Sequence, residues 1–265
     1  MNELERIVAS TREEVAQRRR AVPLEALRHA VAQRRAQPED GDSFEQALAR
    51  PGLSVIAEHK RRSPSAGTIR EGIALEAVVQ AYQRGGAAAL SILTEGPSFG
   101  GCLEDLRTAR RVSTLPILRK DFIVDVYQVN ESCAAGADAI LLIVAALSER
   151  ECRTLQAQAR ELGLTALVEV HDERELELAL RAEANVIGIN NRDLSTLAVD
   201  THRTFELLPR VPAETLVVAE SGFSRREELE ELSAAGVSAV LVGEALMRAA
   251  DIEAACHGLT GKGSA

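Results

Sequence analysis

A (β/α)8 TIM barrel with an N-terminal helical extension is the fold this α/β sequence predicts, on three observations. Eight short, nearly continuous apolar runs recur from Leu53 onward, a charged amphipathic stretch follows each run, and no GxGxxG turn occurs anywhere. Strands apolar on both faces belong to a parallel sheet covered on both sides, and eight strand–helix units in about 200 residues is the count that closes a barrel. The rival, an open doubly wound sheet, needs a glycine-rich turn after its first strand, where this chain has HKRRSPSAG.

The elements follow in order. Residues 2–20 carry Leu4, Ile7, Val8 and Val15 among charges at helical spacing, Pro23 opens a second helix to about Gln33, and QPEDGDS (37–43) reads as a linker. This segment is expected to cover one end of the core. The predicted strands are 53–58, 88–93, 115–119, 139–144, 165–170, 185–190, 215–220 and 238–243. The helices between and after them are 72–84, 103–111, 125–135, 148–162, 172–182, 202–208, 224–235 and 245–256. Before four of the strands the phrases GGAAA, AGADA, RAEANV and AGVSAV supply small residues for a helix C-cap and a tight turn. The layout is one domain over 1–265, with extension and linker to residue 50, barrel over 51–256 and a flexible tail over 257–265.

Composition excludes several classes. A net charge of −9 and 3% aromatic residues give little to attract phosphate backbones or stack on bases, so no nucleic-acid partner is expected. No run reaches the length of a membrane span, and the charged N-terminus lacks a signal peptide's apolar core. Cys102, Cys133, Cys152 and Cys256 form no CxxC pair and read as reduced structural cysteines of a cytoplasmic protein. No metal-ligand spacing and no flavin or nicotinamide signature is present, so neither metal nor cofactor is expected. The chain is expected to act as a monomer, a weak homodimer being the alternative.

Of 31 basic residues only Lys60, Lys120 and Lys262 are lysines. Lys262 lies in the tail; the other two end predicted strands. In such barrels the site lies at the C-terminal ends of the strands. Those ends read Glu58-His59-Lys60, Thr94-Glu95, Arg119-Lys120-Asp121, Glu169-Val170-His171, Asn190-Asn191-Arg192-Asp193, Glu220-Ser221-Gly222 and Gly243-Glu244. Residues two apart share a side, so Glu58 points with Lys60 and Asn190 with Arg192, while His59 turns toward the helices. Ser221-Gly222-Phe223 and Gly243-Glu244-Ala245, each just before a helix, are placed to cradle a phosphate. A small phosphorylated anion held beside lysines and carboxylates is therefore the expected ligand. Acid–base chemistry and a Schiff-base lysine are both open on these residues alone.

Together IAEHKRRSPSAG (56–67), SILTE with Phe99 and Gly101, PILRKDFI (116–123), LVEVHDERELELAL (167–180), IGINNRDL (187–194), VAESGF (218–223) and LVGEALM (241–247) resemble the indole-3-glycerol phosphate synthase family, over essentially residues 1–255. The resemblance implies cofactor-free conversion of 1-(2-carboxyphenylamino)-1-deoxyribulose 5-phosphate to indole-3-glycerol phosphate, carbon dioxide and water. It implies that Lys120 is the general acid of ring closure, that Lys60 touches substrate and shares the acid chemistry, and that Glu169 pairs with Lys120. Glu58 would help remove the proton during dehydration, and Asn190 would position hydroxyls. Arg192, Ser63, Ser221, Gly222 and Gly243, with its neighbour Glu244, match contacts at or near the phosphate, and Phe99 would wall the aromatic ring. The chain departs from the commoner family pattern at Ser98, where an aromatic is usual, at His59, where an aliphatic residue is usual, and at Ala66, often lysine. A sister isomerase using an acid–base pair, a barrel that has lost catalysis, and a Schiff-base aldolase are the alternatives. The first strand ends without the cysteine such an isomerase uses, and the strand-end charges are intact.

Overall fold

The computed structural model describes residues 3–36, 43–194 and 196–261. Eight parallel strands close a barrel: β1 (Ser54–His59), β2 (Ala89–Leu93), β3 (Ile117–Lys120), β4 (Ala139–Ile143), β5 (Thr165–Val170), β6 (Val186–Asn190), β7 (Leu216–Glu220) and β8 (Ala239–Val242), with β8 pairing back to β1. Around them run α4 (Leu75–Arg84), α5 (Leu103–Val112), α6 (Val126–Ala135), α7 (Glu149–Glu161), α8 (Glu173–Arg181), α9 (His202–Leu207), α10 (Arg226–Ala235), α11 (Glu244–Arg248) and α12 (Ile252–Thr260). The closed eight-stranded barrel is the predicted fold, and every predicted strand is present with its ends displaced by at most two residues.

Two-residue periodicity divides each strand between two cores. Ile56, Ala89, Leu118, Ala139, Leu141, Leu167, Val186, Val218, Ala239 and Leu241 pack together inside the barrel. Their neighbours Val55, Ala57, Leu90, Ile92, Ile117, Ile140, Val168, Ile187, Val217 and Val240 pack outward against the helices. The same parity carries Glu58, Lys120, Glu169, Asn190 and Glu220 inward above that inner core.

The N-terminal segment differs in part from its expected place. Helices α1 (Glu3–Ala21) and α2 (Leu24–Arg35) lie along the flank, where Val15 and Leu27 pack on Tyr127 of α6. The end of the core is instead closed by α3 (Phe44–Leu48), which the sequence reading lacks. Its Phe44 and Leu48 enter the inner cluster, and the Ala47 carbonyl accepts from Ser54 Oγ at 2.9 Å at the start of β1. A Ser43–Gln46 capping box starts this helix. The rest of the expected linker, 37–42, lies outside the described residues, as does Lys262.

Two further differences have local causes. The predicted 245–256 helix is two helices. Arg70 donates to the carbonyls of Met247 and Ala249 at the end of α11, and Asp251 caps α12 by accepting from the Ala254 N–H. Helix α12 continues to Thr260, into the segment expected to be a flexible tail. The loop after β1 forms a small antiparallel ribbon, Arg62–Ser63 with Gly67–Thr68.

Behind β3 sits a buried charge network. Arg119, 1% exposed, points outward and donates to Thr94 Oγ1, Asp121 Oδ2, Glu131 Oε2 and Ser132 Oγ. Arg18 of α1 meets the other Glu131 oxygen at 3.1 Å, tying the extension to the barrel. Removing one member strands a buried opposite charge. Arg119→Met is expected to lower stability by about 3–5 kcal/mol, measured as a shifted urea midpoint with an unchanged slope.

Candidate active site

The C-terminal ends of the strands open into a cavity of about 610 Å³. At its floor the Lys120 ammonium donates to Glu169 Oε2 at 2.9 Å and Glu220 Oε2 at 2.8 Å. Lys60 pairs with Glu58 at 2.8 Å. Asn190 Nδ2 donates to Glu169 Oε1 at 3.1 Å, and Asn190 Oδ1 accepts from the Arg192 backbone N–H. Two glycines make this density of carboxylates possible. A Cβ on Gly188 would lie 2.3 Å from Glu220 Oε1, and one on Gly243 would lie 2.5 Å from Glu58 Oε1.

Burial and pairing set the charges. Burial opposes a proton on Lys120, but Glu169 and Glu220 outweigh it and hold the ammonium well above its usual range. Glu169 is equally buried, yet Lys120 and then His171 keep it far below the usual carboxylate range. Glu220 goes the other way: burial, reinforced by Glu169 and Glu58, outweighs Lys120 and pushes it up to about 7. Its Oε1 is buried without a hydrogen-bond partner among the described residues.

The rest of the mouth divides by arc. From β2, β3 and β4 come Leu93, Phe99, Phe122, Leu141 and Ile143; from β6, β7 and β8 come Arg192, Ser221, Gly222, Gly243 and Glu244. Ser221 and Gly222 both adopt positive φ, and the Ser221 carbonyl accepts from Asn191 Nδ2 at 3.0 Å. Asn191 in turn is fixed by the backbone and hydroxyl of Thr204 in α9. Glu95 Oε2 accepts the N–H groups of Ser98 and Phe99, setting the Phe99 loop.

The structure brings Lys120, Lys60, Glu58, Asn190, Phe99, Arg192, Ser221, Gly222, Gly243 and Glu244 to one cavity. Two sequence candidates stand apart. Glu169 lies beneath the lining, reached through Lys120 and Asn190. Ser63 is outside it: its Oγ accepts from the Ala66 N–H inside the ribbon. His59 is buried on the outer side of β1, where burial and then Arg61 pull it down to about 4, so it is neutral. Sequence reasoning missed Glu220, Glu95, Asn191 and His171 as site residues, although all four stand at strand ends.

The fold and this site define a (β/α)8 barrel whose mouth gathers paired lysines and carboxylates beside the Ser221-Gly222 and Gly243-Glu244 loops. A model of the indole-3-glycerol phosphate synthase family matches residues 4–259. The chain is 46% identical over 252 residues to an indole-3-glycerol phosphate synthase of Sulfurimonas denitrificans, covering 95% of this chain and 96% of that one. It is 48% identical over 247 residues to that of Acidithiobacillus ferrooxidans, covering 93% and 94%. It belongs to the indole-3-glycerol phosphate synthase family. Among solved structures, it resembles a thiamine phosphate pyrophosphorylase from Pyrococcus furiosus (TM-score 0.59, 19% identity, covering 81% of this chain and 96% of that one). It also resembles an N-acetylmannosamine-6-phosphate 2-epimerase from Clostridium perfringens (TM-score 0.60, 16% identity, covering 79% and 93%), and at these identities both show the barrel alone.

His171 supplies a signed test of the electrostatics. Burial lowers its pKa, but Glu169 and Glu175 overcome this and raise it from 6.5 to about 10. The stabilisation from its charged form is therefore complete below about 6.5 and is lost as pH rises through about 10. The difference in melting temperature between wild type and His171→Asn is expected to be full at pH 6 and to vanish above pH 10.

Proposed function

We infer that this protein is an indole-3-glycerol phosphate synthase, a carboxy-lyase of tryptophan biosynthesis. It acts on 1-(2-carboxyphenylamino)-1-deoxyribulose 5-phosphate, closing the pyrrole ring with loss of carbon dioxide and water. The observation that carries the reading is Lys120, a charged lysine held between two carboxylates on the floor of a mouth that is apolar on one arc and rich in phosphate donors on the other. The substrate fits across it, aryl ring against Phe99 and Phe122, phosphate toward Arg192, Ser221, Gly222 and Gly243, with Glu244 at the start of the last helix.

Ring closure needs a cation and a proton at the ketone oxygen as the aryl carbon attacks. Lys120 places one compact ammonium for both roles, an N–H to give and a positive charge held at the floor of the mouth by Glu169 and Glu220. Glu169 steadies the cation that ring closure creates. Loss of carbon dioxide breaks the bond from the ring carbon to the carboxylate, and the electron pair of that bond neutralises the cation and restores the aromatic ring. Dehydration then expels the former ketone oxygen as water, with Lys60 beside the leaving group, Glu58 accepting the ring proton and Asn190 orienting hydroxyls. We further read the chain as one domain working in the cytoplasm as a monomer without nucleic-acid or membrane partners. The net charge of −9 speaks against a nucleic-acid partner, and no helix among the described residues is long and apolar enough to cross a membrane.

Purified protein given the phosphorylated ribulose substrate should develop indole fluorescence; its absence would overturn the assignment. Lys120→Met and Lys120→Arg should each lower kcat at least about 100-fold, and an arginine variant with wild-type turnover would remove the acid role. Arg192→Ala should raise KM by about 10-fold or more with a smaller change in kcat, the mark of binding lost equally from ground and transition states.

A further inference from the structure

His171 has no role in the chemistry above, yet it is pinned against the site. Its ring lies between two carboxylates: Nδ1 is 3.0 Å from Glu175 Oε2, which also accepts the His171 backbone N–H at 2.8 Å, and Nε2 is 3.3 Å from Glu169 Oε1. That last contact is an ion pair without hydrogen-bond alignment, and Nε2 is buried with no hydrogen-bond partner among the described residues. Glu169 thus faces cations on both sides, Lys120 from β3 and His171 from beyond β5, with Asn190 of β6 donating to it as well. Among the described residues Glu220 forms an ion pair with Lys120 only, and Glu169 and Glu58 of β1 add to its burden of negative charge. The charged groups paired with the His171 ring among the described residues are Glu169 and Glu175. The Val144–Ala146 turn packed against α8 carries no charge, and Glu149 of α7 pairs with Arg181 at the far end of α8.

The proton balance of the reaction gives this asymmetry a use. The substrate enters as a carboxylate and leaves as carbon dioxide, water and a neutral indole ring, so each turnover takes up one proton. The proton that Lys120 gives to the ketone oxygen has to be replaced on the same nitrogen. We propose that His171 is a positioning residue: set between Glu169 and Glu175, it holds Glu169 as the anion beside Lys120 and so leaves Glu220 as the carboxyl that resupplies Lys120. The O–H bond of Glu220 breaks as an N–H bond forms on Lys120 across their 2.8 Å contact, and Glu220 then recovers its proton from solvent. Two equivalent carboxylates would share that proton, and environments that drive a pair apart assign the acid and the anion.

The inference rests on the ring-closure reading, and its test separates the two. In wild type, kcat should fall as pH rises through the ionisation of Glu220. Without the imidazolium the carboxylate pair binds its proton more tightly. His171→Asn and His171→Gln should therefore move that alkaline limb up by about 1 in pH, with kcat on the plateau about 10-fold lower and KM within about twofold. His171→Lys, which restores a cation, should return the limb toward wild type. A limb unmoved in the two neutral variants, or not restored by lysine, overturns the proposal even if kcat has dropped. Nitrogen-15 NMR of the substrate-free protein decides the same point without turnover: at pH 8 a doubly protonated His171 ring supports it and a neutral ring overturns it. Wild-type protein that forms no indole product would fail the ring-closure reading alone.

Discussion

The pairing of Lys120 with Glu169 and Glu220 is the interaction on which the site depends. Three ionisable groups share the floor of a barrel mouth, and each alone would be driven toward its neutral form by burial. Together they keep one cation and at least one anion among side chains that are themselves buried. Two carboxylates on one lysine leave an excess negative charge, and Glu220 absorbs it by holding its proton to higher pH. The arrangement needs depth, and the inward parity of β3, β5 and β7 supplies it. Each strand adds one charged residue above an inner layer of Leu118, Leu167 and Val218.

Support for this floor comes from behind as well as below. Next to Lys120, Arg119 points the opposite way and is satisfied by groups from β2, α6 and the end of its own strand. Adjacent residues on one strand thus serve different ends: one anchors the strand to its helix, the other reaches the reacting atoms. The contact of Arg18 with Glu131 brings the N-terminal extension into that anchor. Closure of the opposite barrel end by α3 keeps the packing that stabilises the inner core away from the mouth.

Much of this was legible in the chain. Apolar runs that are covered on both faces, eight in number, define a parallel barrel, and the strand-end rule with two-residue parity picks out Glu58, Lys60, Lys120, Asn190 and Arg192. What escaped has physical reasons. Helix α3 is a single turn and a half, too short for helical periodicity to register, although Ser43 and Gln46 carry its capping signal. The break between α11 and α12 is marked by Asp251, but the clamp from Arg70 is far away in sequence. Ser63 matches a family motif, and its place outside the cavity lining follows from a ribbon set by pairing across the loop. Glu220 stands at a strand end like the others, but its importance comes from contact with Lys120 on another strand, which no spacing reveals; His171 is two residues from Glu169, so parity places them together, yet the pairing of its ring with Glu175 as well is seen only in three dimensions.

Gly188 and Gly243 carry a consequence for how this site can diverge. Each marks where a carboxylate from the neighbouring strand occupies the volume a methyl group would fill, Glu220 in one case and Glu58 in the other. The members of each pair are therefore not independent variables. A side chain at 188 requires Glu220 to move or shorten, and the same holds for 243 with 58. A methyl group at either position displaces a carboxylate of the floor, so a change at a residue with no functional group of its own acts on the charge of the site.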